Sequence, residues 1–261
     1  MKKNVLLIVL VVLLLSAAAG CGAAATVADA PVPFEKHTIP YPDGYDITST
    51  GASCYDGCDD HFDSPYFKIL DVYNMTSTDT LTVIPKFETY QQTTEYTCGS
   101  ATVLMVLNHY GVSDYDELTI AEKSCTSDET GIDPQGLVKF FDEIGWNVQS
   151  SVDTNGGYTF EDPADFQSWV TENLKAETPV MVDWLDWAGH WQAIIGYDTM
   201  GTEDNFGDDV IILADPYDTS DQYQDGYYIF SAERFYYMWR EGIGTGPEPQ
   251  QQPWVIATPA A

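Results

Sequence analysis

The sequence predicts an α+β fold in which helices come first and the strands of an antiparallel sheet follow. Apolar side chains dominate residues 101–107, and this run closes at Gly111, which is typical of a buried helix that ends in a left-handed glycine. Asp133-Pro134 and Asp162-Pro163 each precede a helical apolar pattern and join a good N-cap to a good first helical residue. From Pro179 onward the apolar segments are short and bounded by turn residues, which favours strands.

The remaining elements are predicted in order along the chain. Residues 67–71 and 80–84 have strand-like composition and are expected to form a hairpin that leads into the core. Further helices are expected at residues 116–123, 133–145 and 162–174, and a last one after the capping residue Ser231. Strands are expected at residues 146–152, 179–184, 190–198, 210–214 and 227–230.

Cys98 begins the first predicted helix and is a candidate nucleophile. At a helix N-terminus the unpaired backbone N–H groups and the positive end of the macrodipole favour the thiolate, which is the reactive form of cysteine. Gln92 lies six residues upstream, where a loop that turns into the helix brings its side-chain amide beside the Cys98 backbone N–H. Two converging N–H donors of this kind make an oxyanion hole.

A cysteine nucleophile also needs a base and a group that orients the base. His190 begins an apolar strand, and Asp215 ends the next one. Adjacent strands joined by a loop bring these two side chains together, and we expect the Asp215 carboxylate to accept from the imidazole Nδ1–H. The chain therefore offers Gln92, Cys98, His190 and Asp215 as catalytic residues.

Three motifs resemble the papain-like cysteine peptidases, and most closely the family that includes the bacteriocin-processing peptidases, which cut leader peptides after a double glycine. They are Gln92-x5-Cys98-Gly99-x-Ala101, Gly189-His190-Trp191 with the following strand, and Asp215-Pro216. The resemblance covers roughly residues 83–239. It implies a papain-like fold, in which an N-terminal helical part carrying the nucleophile helix packs on an antiparallel sheet carrying His and Asp. It also implies a thiol protease that needs no cofactor.

Each candidate has a simpler interpretation as well. Cys98 is alternatively a small buried apolar residue, His190 a core histidine, and Asp215 a residue that starts a turn. His109 is excluded as the base, because it lies 11 residues past Cys98, or about 16 Å along a helix. At the level of function, the alternatives to hydrolysis are a transpeptidase or amidase using the same site, a catalytically silent peptide-binding module, and a structural envelope protein.

The N-terminus predicts export and membrane attachment. A basic start, an apolar run at residues 5–15 and small residues up to Gly20 make a lipoprotein-type secretory signal over residues 1–20. Cys21 is then the expected lipidation site, with an uncleaved anchor as the alternative. The predicted location is extracytoplasmic, at the cell membrane or cell surface. The order of segments continues with a Pro- and Ala-rich spacer at 21–50, an extension at 51–82, the peptidase domain at 83–241 and a loose tail at 242–261.

The extension contains a cysteine loop. Cys54 and Cys58 lie four residues apart and are a candidate disulfide in an exported protein; pairing with Cys125 and a metal site with His61 and Asp63 are the alternatives. No standard zinc spacing is present, and Cys125 is expected to be free and buried. A loop at residues 203–209 is rich in carboxylates, which is more typical of a solvated acidic loop than of a calcium site.

The charge of the chain limits its partners. It has 41 Asp and Glu against 10 Lys and Arg, a formal net charge of −31. A field of this sign opposes binding to nucleic acid and is compatible with a cationic substrate. The predicted partners are a peptide or protein substrate and, through the lipid anchor, a membrane.

Overall fold

The computed structural model describes residues 34–55, 64–154, 159–202, 205–240 and 251–260. All of these residues fall in one compact unit. The predicted signal, Cys21, Cys58, His61 and Asp63 lie outside the described residues, so the lipid anchor and the Cys54–Cys58 disulfide stay predictions. Among the described residues, no helix is long and apolar enough to span a membrane.

The described residues contain five α-helices, at the positions that the sequence predicts. Asp133 accepts from the Gly136 N–H at 2.9 Å and opens the third helix, and Asp116 caps the second through Thr119 at 2.8 Å. The left-handed Gly111, with φ of 75°, follows the first helix as predicted. The helices are α1 (Cys98–His109), α2 (Glu117–Lys123), α3 (Pro134–Glu143), α4 (Pro163–Lys175) and α5 (Ala232–Arg240).

The strands in the described part of the chain number seven and form one antiparallel sheet. They are β1 (Leu81–Val83), β2 (Asn147–Ser150), β3 (Val180–Trp184), β4 (His190–Asp198), β5 (Val210–Ala214), β6 (Tyr227–Ser231) and β7 (Trp254–Thr258). Their order is β2-β7-β3-β4-β5-β6, and β1 pairs with the second half of β4. This mixture of early helices and a later antiparallel sheet confirms the predicted fold class.

The C-terminal segment differs from the prediction. We expected residues 242–261 to be a loose tail, but β7 lies inside the sheet between β2 and β3. Trp254, Val255, Ile256 and Ala257 are buried, so the apolar content of this segment outweighs the Pro- and Gln-rich stretch before it. The domain predicted to end at residue 241 therefore continues into β7.

The segments before residue 83 also belong to the core unit. Ile39 donates its N–H to the Thr89 carbonyl at 2.8 Å, and Ser53 donates its N–H to the Gln92 carbonyl at 3.1 Å. The described part of the predicted spacer is thus paired with the domain rather than a free tether. The predicted hairpin is wrong as well: residues 67–71 form no strand, and β1 pairs with β4 because β3 covers only the first half of that edge.

Candidate active site

Cys98 is the first residue of α1 and is half-buried. The N-cap residue Thr97 makes no side-chain capping bond to the helix, because its hydroxyl is engaged by the Thr94 hydroxyl at 2.7 Å and by Glu117. The backbone N–H groups of the first turn are therefore left without the usual capping acceptor. They are available to a negative charge on the Cys98 sulfur or on an oxygen beside it.

Helix α1 is docked against the start of β4. Thr102 donates its hydroxyl to the Trp191 carbonyl at 3.0 Å, and the Trp191 indole donates to the Ile132 carbonyl at 2.9 Å. A Cβ on Gly99 would lie 2.3 Å from Ile132 Cγ2, so only glycine allows this approach. The close packing sets Cys98 beside His190, the residue before Trp191.

His190 is held between Asp215 and Cys98. Its Nε2 lies 2.7 Å from Asp215 Oδ1, and it forms a hydrogen bond with the Cys98 side chain. We expected Asp215 to contact Nδ1, but it contacts Nε2, which leaves Nδ1 for the thiol. Burial by itself lowers the pKa of His190, yet Asp215 and Cys98 together raise this pKa well above its ordinary value. The imidazolium is therefore the stable form near neutral pH.

Two further carboxyl groups face this histidine. The His190 backbone N–H donates to Asp183 on β3, and burial raises the pKa of Asp183 to about 7 although His190 opposes the shift. Burial and the charge of Asp215 also raise the pKa of Asp186. The imidazole is thus buried among acidic groups. Burial opposes its positive charge, and Asp183 and Asp186 favour that charge only where they are ionised.

The two adjacent glutamines have different positions. Gln91 bridges the segment that carries Asp215: its Nε2 donates to the Asp215 carbonyl at 2.8 Å, and its Oε1 accepts from the Asp218 N–H at 3.0 Å. Gln92 is buried and donates from Nε2 to the Thr94 carbonyl at 2.7 Å. Gln91 thus fixes the backbone around the carboxylate that contacts His190, and no sequence pattern indicated this role.

The sequence matches the model of a protein family. The model described as the Peptidase_C39 like family matches residues 84–243, which is more than half of the chain. The chain belongs to this family. It is a cysteine peptidase, and the match confirms the resemblance drawn from the three sequence motifs.

Two solved structures are similar to this chain. The peptidase is similar to the peptidase domain of Streptococcus ComA, a bi-functional ABC transporter involved in quorum sensing, with 21% identity and a TM-score of 0.41 over 67% of this chain and 99% of that one. It is also similar to UfSP from C. elegans, with 12% identity and a TM-score of 0.44 over 73% of this chain and 36% of that one. At these TM-scores the two structures add nothing to the assignment of function. A comparison with curated protein sequences finds no match.

Glu117 is an acidic residue that the sequence did not single out. Glu117 is fully buried and accepts from the Tyr90 hydroxyl at 3.0 Å, from the Thr93 N–H at 2.9 Å and from the Thr93 hydroxyl at 2.7 Å, as well as from Thr97. Its carboxylate therefore holds three positions of the segment that runs from Tyr90 to Thr97, immediately before α1. In the sequence it looks like an ordinary acidic residue in the first turn of a helix.

We expect Glu117→Gln to disturb the active site more than its small change in volume suggests. The new amide N–H2 would face donors that now have an acceptor, so the start of α1 should shift. Stability should fall by about 2–4 kcal/mol, as for buried groups left unsatisfied. The rate of Cys98 labelling by iodoacetamide should fall by a factor of roughly two to five, the size of a helix-terminus interaction.

The control for this change is Glu122→Gln, which alters an exposed carboxylate on the same helix. Labelling should be measured well below both melting temperatures, with the exposed Cys125 of the same molecule as the reference thiol. Equal Cys98 labelling in the Glu117→Gln variant and the control would show that Glu117 serves only the stability of the fold.

The structure also bears on Cys125 and on the predicted metal sites. Cys125 is exposed, not buried as expected, and its sulfur accepts from Lys139 Nζ at 3.0 Å. No group of three His, Cys, Asp or Glu side chains suited to a metal ion occurs in the described part of the chain. Several of the candidate ligands fall outside that part, so the metal and calcium alternatives stay predictions; these ligands are Cys58, His61, Asp63, Glu203 and Asp204.

Proposed function

We propose that this chain is an extracytoplasmic peptidase that hydrolyses peptide bonds with Cys98 as nucleophile, His190 as base and acid, and Asp215 as the orienting group. One observation carries the proposal: the buried imidazole of His190 contacts the Asp215 carboxylate at 2.7 Å on one side and Cys98 on the other. The nucleophile, the base and the orienting group are thus linked in sequence by side-chain contacts, as nucleophilic catalysis by cysteine requires.

The proposed reaction begins from the thiolate of Cys98 and the imidazolium of His190. The sulfur attacks the peptide carbonyl carbon, and a C–S bond forms as the carbonyl oxygen becomes an oxyanion. The oxyanion then collapses, the C–N bond breaks, and His190 gives its proton to the leaving amine. Neutral His190 next removes a proton from water as the water oxygen attacks the thioester carbon. The C–S bond then breaks, which releases the carboxylic acid and restores the Cys98 thiolate beside the His190 imidazolium.

Gln92 is proposed to hold the oxyanion with the Cys98 backbone N–H. A side-chain amide has two N–H donors, and Gln92 uses one of them on the Thr94 carbonyl. That bond fixes the plane of the amide and leaves its second N–H for the substrate. The uncapped first turn of α1 supplies the backbone donor.

We also propose that lipid on Cys21 anchors the peptidase outside the cytoplasm. The support is the sequence of residues 1–20, with its basic start, short apolar run and small residues before Cys21. A net charge of −31 suits an exported domain that must stay soluble beside a membrane.

The function is tested with a peptide library made by digesting a proteome at Glu, in which Lys and Arg remain internal. Wild type should produce new peptide termini, and Cys98→Ala should produce none. Reaction in ¹⁸O-labelled water separates the outcomes, because hydrolysis places one ¹⁸O in each new carboxylate, whereas acyl transfer joins two peptides. A wild-type protein that binds peptides but forms no new termini would overturn the proposal in favour of a binding module.

A further inference from the structure

An exposed group of aromatic side chains lies beside the active site. Trp187 is 64% exposed, and its ring lies 5.4 Å from that of Tyr217, which in turn lies 6.4 Å from that of Tyr55. The Tyr217 hydroxyl donates to the Glu95 carboxylate at 3.3 Å. We call Tyr55, Glu95, Trp187 and Tyr217 the aromatic rim.

The rim is attached to the proposed catalytic residues by very short stretches of chain. Glu95 lies three residues before Cys98, and Trp187 lies three before His190. Tyr217 follows Asp215 by two residues and donates its N–H to Asp215 Oδ1 at 2.8 Å. Three residues span at most about 10 Å, so a peptide bound at Cys98 reaches the rim with a side chain within about three residues of the scissile bond.

Trp187 is held in an unfavourable backbone conformation without the compensation of burial. Its φ of 51° and ψ of 22° lie in the left-handed region, which is unfavourable for a non-glycine residue because its Cβ comes too close to the following carbonyl oxygen. The turn around it is closed by the Gly189 N–H, which donates to the Asp186 carbonyl at 2.8 Å. A large aromatic residue that is strained, exposed and next to a reactive site is a candidate for ligand contact.

The chemistry of the rim fits a cation. Aromatic faces and a carboxylate each attract an ammonium or guanidinium group. Burial and Glu95 raise the pKa of Tyr217 above its usual range, so its hydroxyl remains a donor to the carboxylate and keeps Glu95 in place.

The chain itself supplies no cation to these rings in its described part. Elsewhere Lys36 lies over the ring of Tyr223 at 4.7 Å, Lys86 over Tyr73 at 4.5 Å, and Arg234 over Phe230 at 5.3 Å. Among the described residues, no Lys or Arg lies over Trp187 or Tyr217 in this way. With a net charge of −31, the protein also attracts cationic peptides over a distance.

We propose that the aromatic rim is a subsite for a Lys or Arg side chain of the peptide substrate, within about three residues of the scissile bond. This inference rests on the proposed peptidase function and adds a substrate class to it. The guanidinium or ammonium group lies on the faces of Trp187 and Tyr217 and pairs with the Glu95 carboxylate.

The test uses the same proteome-derived library and reads the residues around each new cut site. In wild type, Lys and Arg should be enriched at one fixed position within three residues of the cut. For synthetic peptides that differ only there, Lys should exceed norleucine in kcat/KM by roughly three- to thirtyfold, the combined effect of an exposed cation–π contact and an exposed ion pair. Glu95→Gln and Trp187→Leu should each reduce this preference, and high salt should weaken it.

Glu122→Gln is the matched control, since it removes an exposed carboxylate on α2, and it should leave the preference unchanged. Cleavage without enrichment of Lys or Arg, or enrichment that survives both rim variants, would overturn the subsite and leave the peptidase function standing. Cleavage of no peptide by the wild type would overturn both.

Discussion

Replacement of His190 with alanine is expected to lower kcat/KM for peptide cleavage by a factor on the order of 10⁴ or more, as for removal of the base from other nucleophile–base pairs. In the proposed mechanism, the variant loses the group that stabilises the thiolate and also the proton donor for the leaving amine. Both losses act on the same step, so binding of the peptide should change little and kcat should carry most of the effect.

The control for this experiment is His109→Ala, which removes another histidine of the same domain. The ring of His109 lies at the far end of α1 and contacts the Glu177 carbonyl at 2.8 Å. That variant should keep wild-type cleavage to within about twofold, as expected for a surface change away from the site. A His190→Ala protein that is folded at the assay temperature and retains a tenth of the wild-type rate would contradict the assignment of the base.

Deletion of residues 251–261 is expected to unfold the peptidase at room temperature. The deletion removes β7 from between β2 and β3, and with it the buried side chains of Trp254, Val255 and Ile256. At about 1.5–3 kcal/mol for each large apolar side chain, the loss is comparable to the total stability of a typical domain, about 5–15 kcal/mol. The backbone hydrogen bonds that join β7 to β2 and to β3 are lost as well.

Further contacts make the same segment important for the fold. Gln252 accepts from the N–H groups of Thr159 and Phe160 at 2.9 and 2.8 Å, and the Trp239 indole donates to the Pro253 carbonyl at 3.0 Å. Thermal unfolding followed by near-ultraviolet circular dichroism measures the effect, and a chain that ends at Thr258 is the control because it keeps β7. Cooperative unfolding of the shorter chain within a few degrees of the control would contradict the position of β7.

Local patterns predicted the helices well because their signals are short-range. An aspartate and a proline at the start of α3 and α4 satisfy and pre-order the first turn, and a glycine after α1 supplies the left-handed residue that ends it. The continuous apolar strand β4 and its neighbour β5 were also found, and their pairing explains how residues 25 positions apart form the His190 and Asp215 contact.

The parts that were not predicted depend on partners distant in sequence. The segment of β7 is apolar, but no pattern within it indicates that it inserts between β2 and β3. The Pro- and Gln-rich stretch before it favoured a loose tail. The carboxylate of Glu117 and the amide of Gln91 look like surface groups until the fold buries them. The side of the imidazole that meets Asp215 is likewise set by the packing of α1 on β4, which no local pattern reports.

The measurement that tests the central claim most directly is the pH dependence of Cys98 labelling by iodoacetamide, read by mass spectrometry in wild type and in His190→Ala. The raised pKa of His190 keeps the imidazolium present above pH 6.5, with Asp183 and Asp186 as the other titrating groups that face it. We therefore predict rapid labelling of Cys98 below pH 7 that the variant loses, while the exposed Cys125 labels at the same rate in both proteins. Cys98 that is inert, or that labels only near pH 8.5 as an unperturbed thiol does and is unaffected by His190→Ala, would contradict the account.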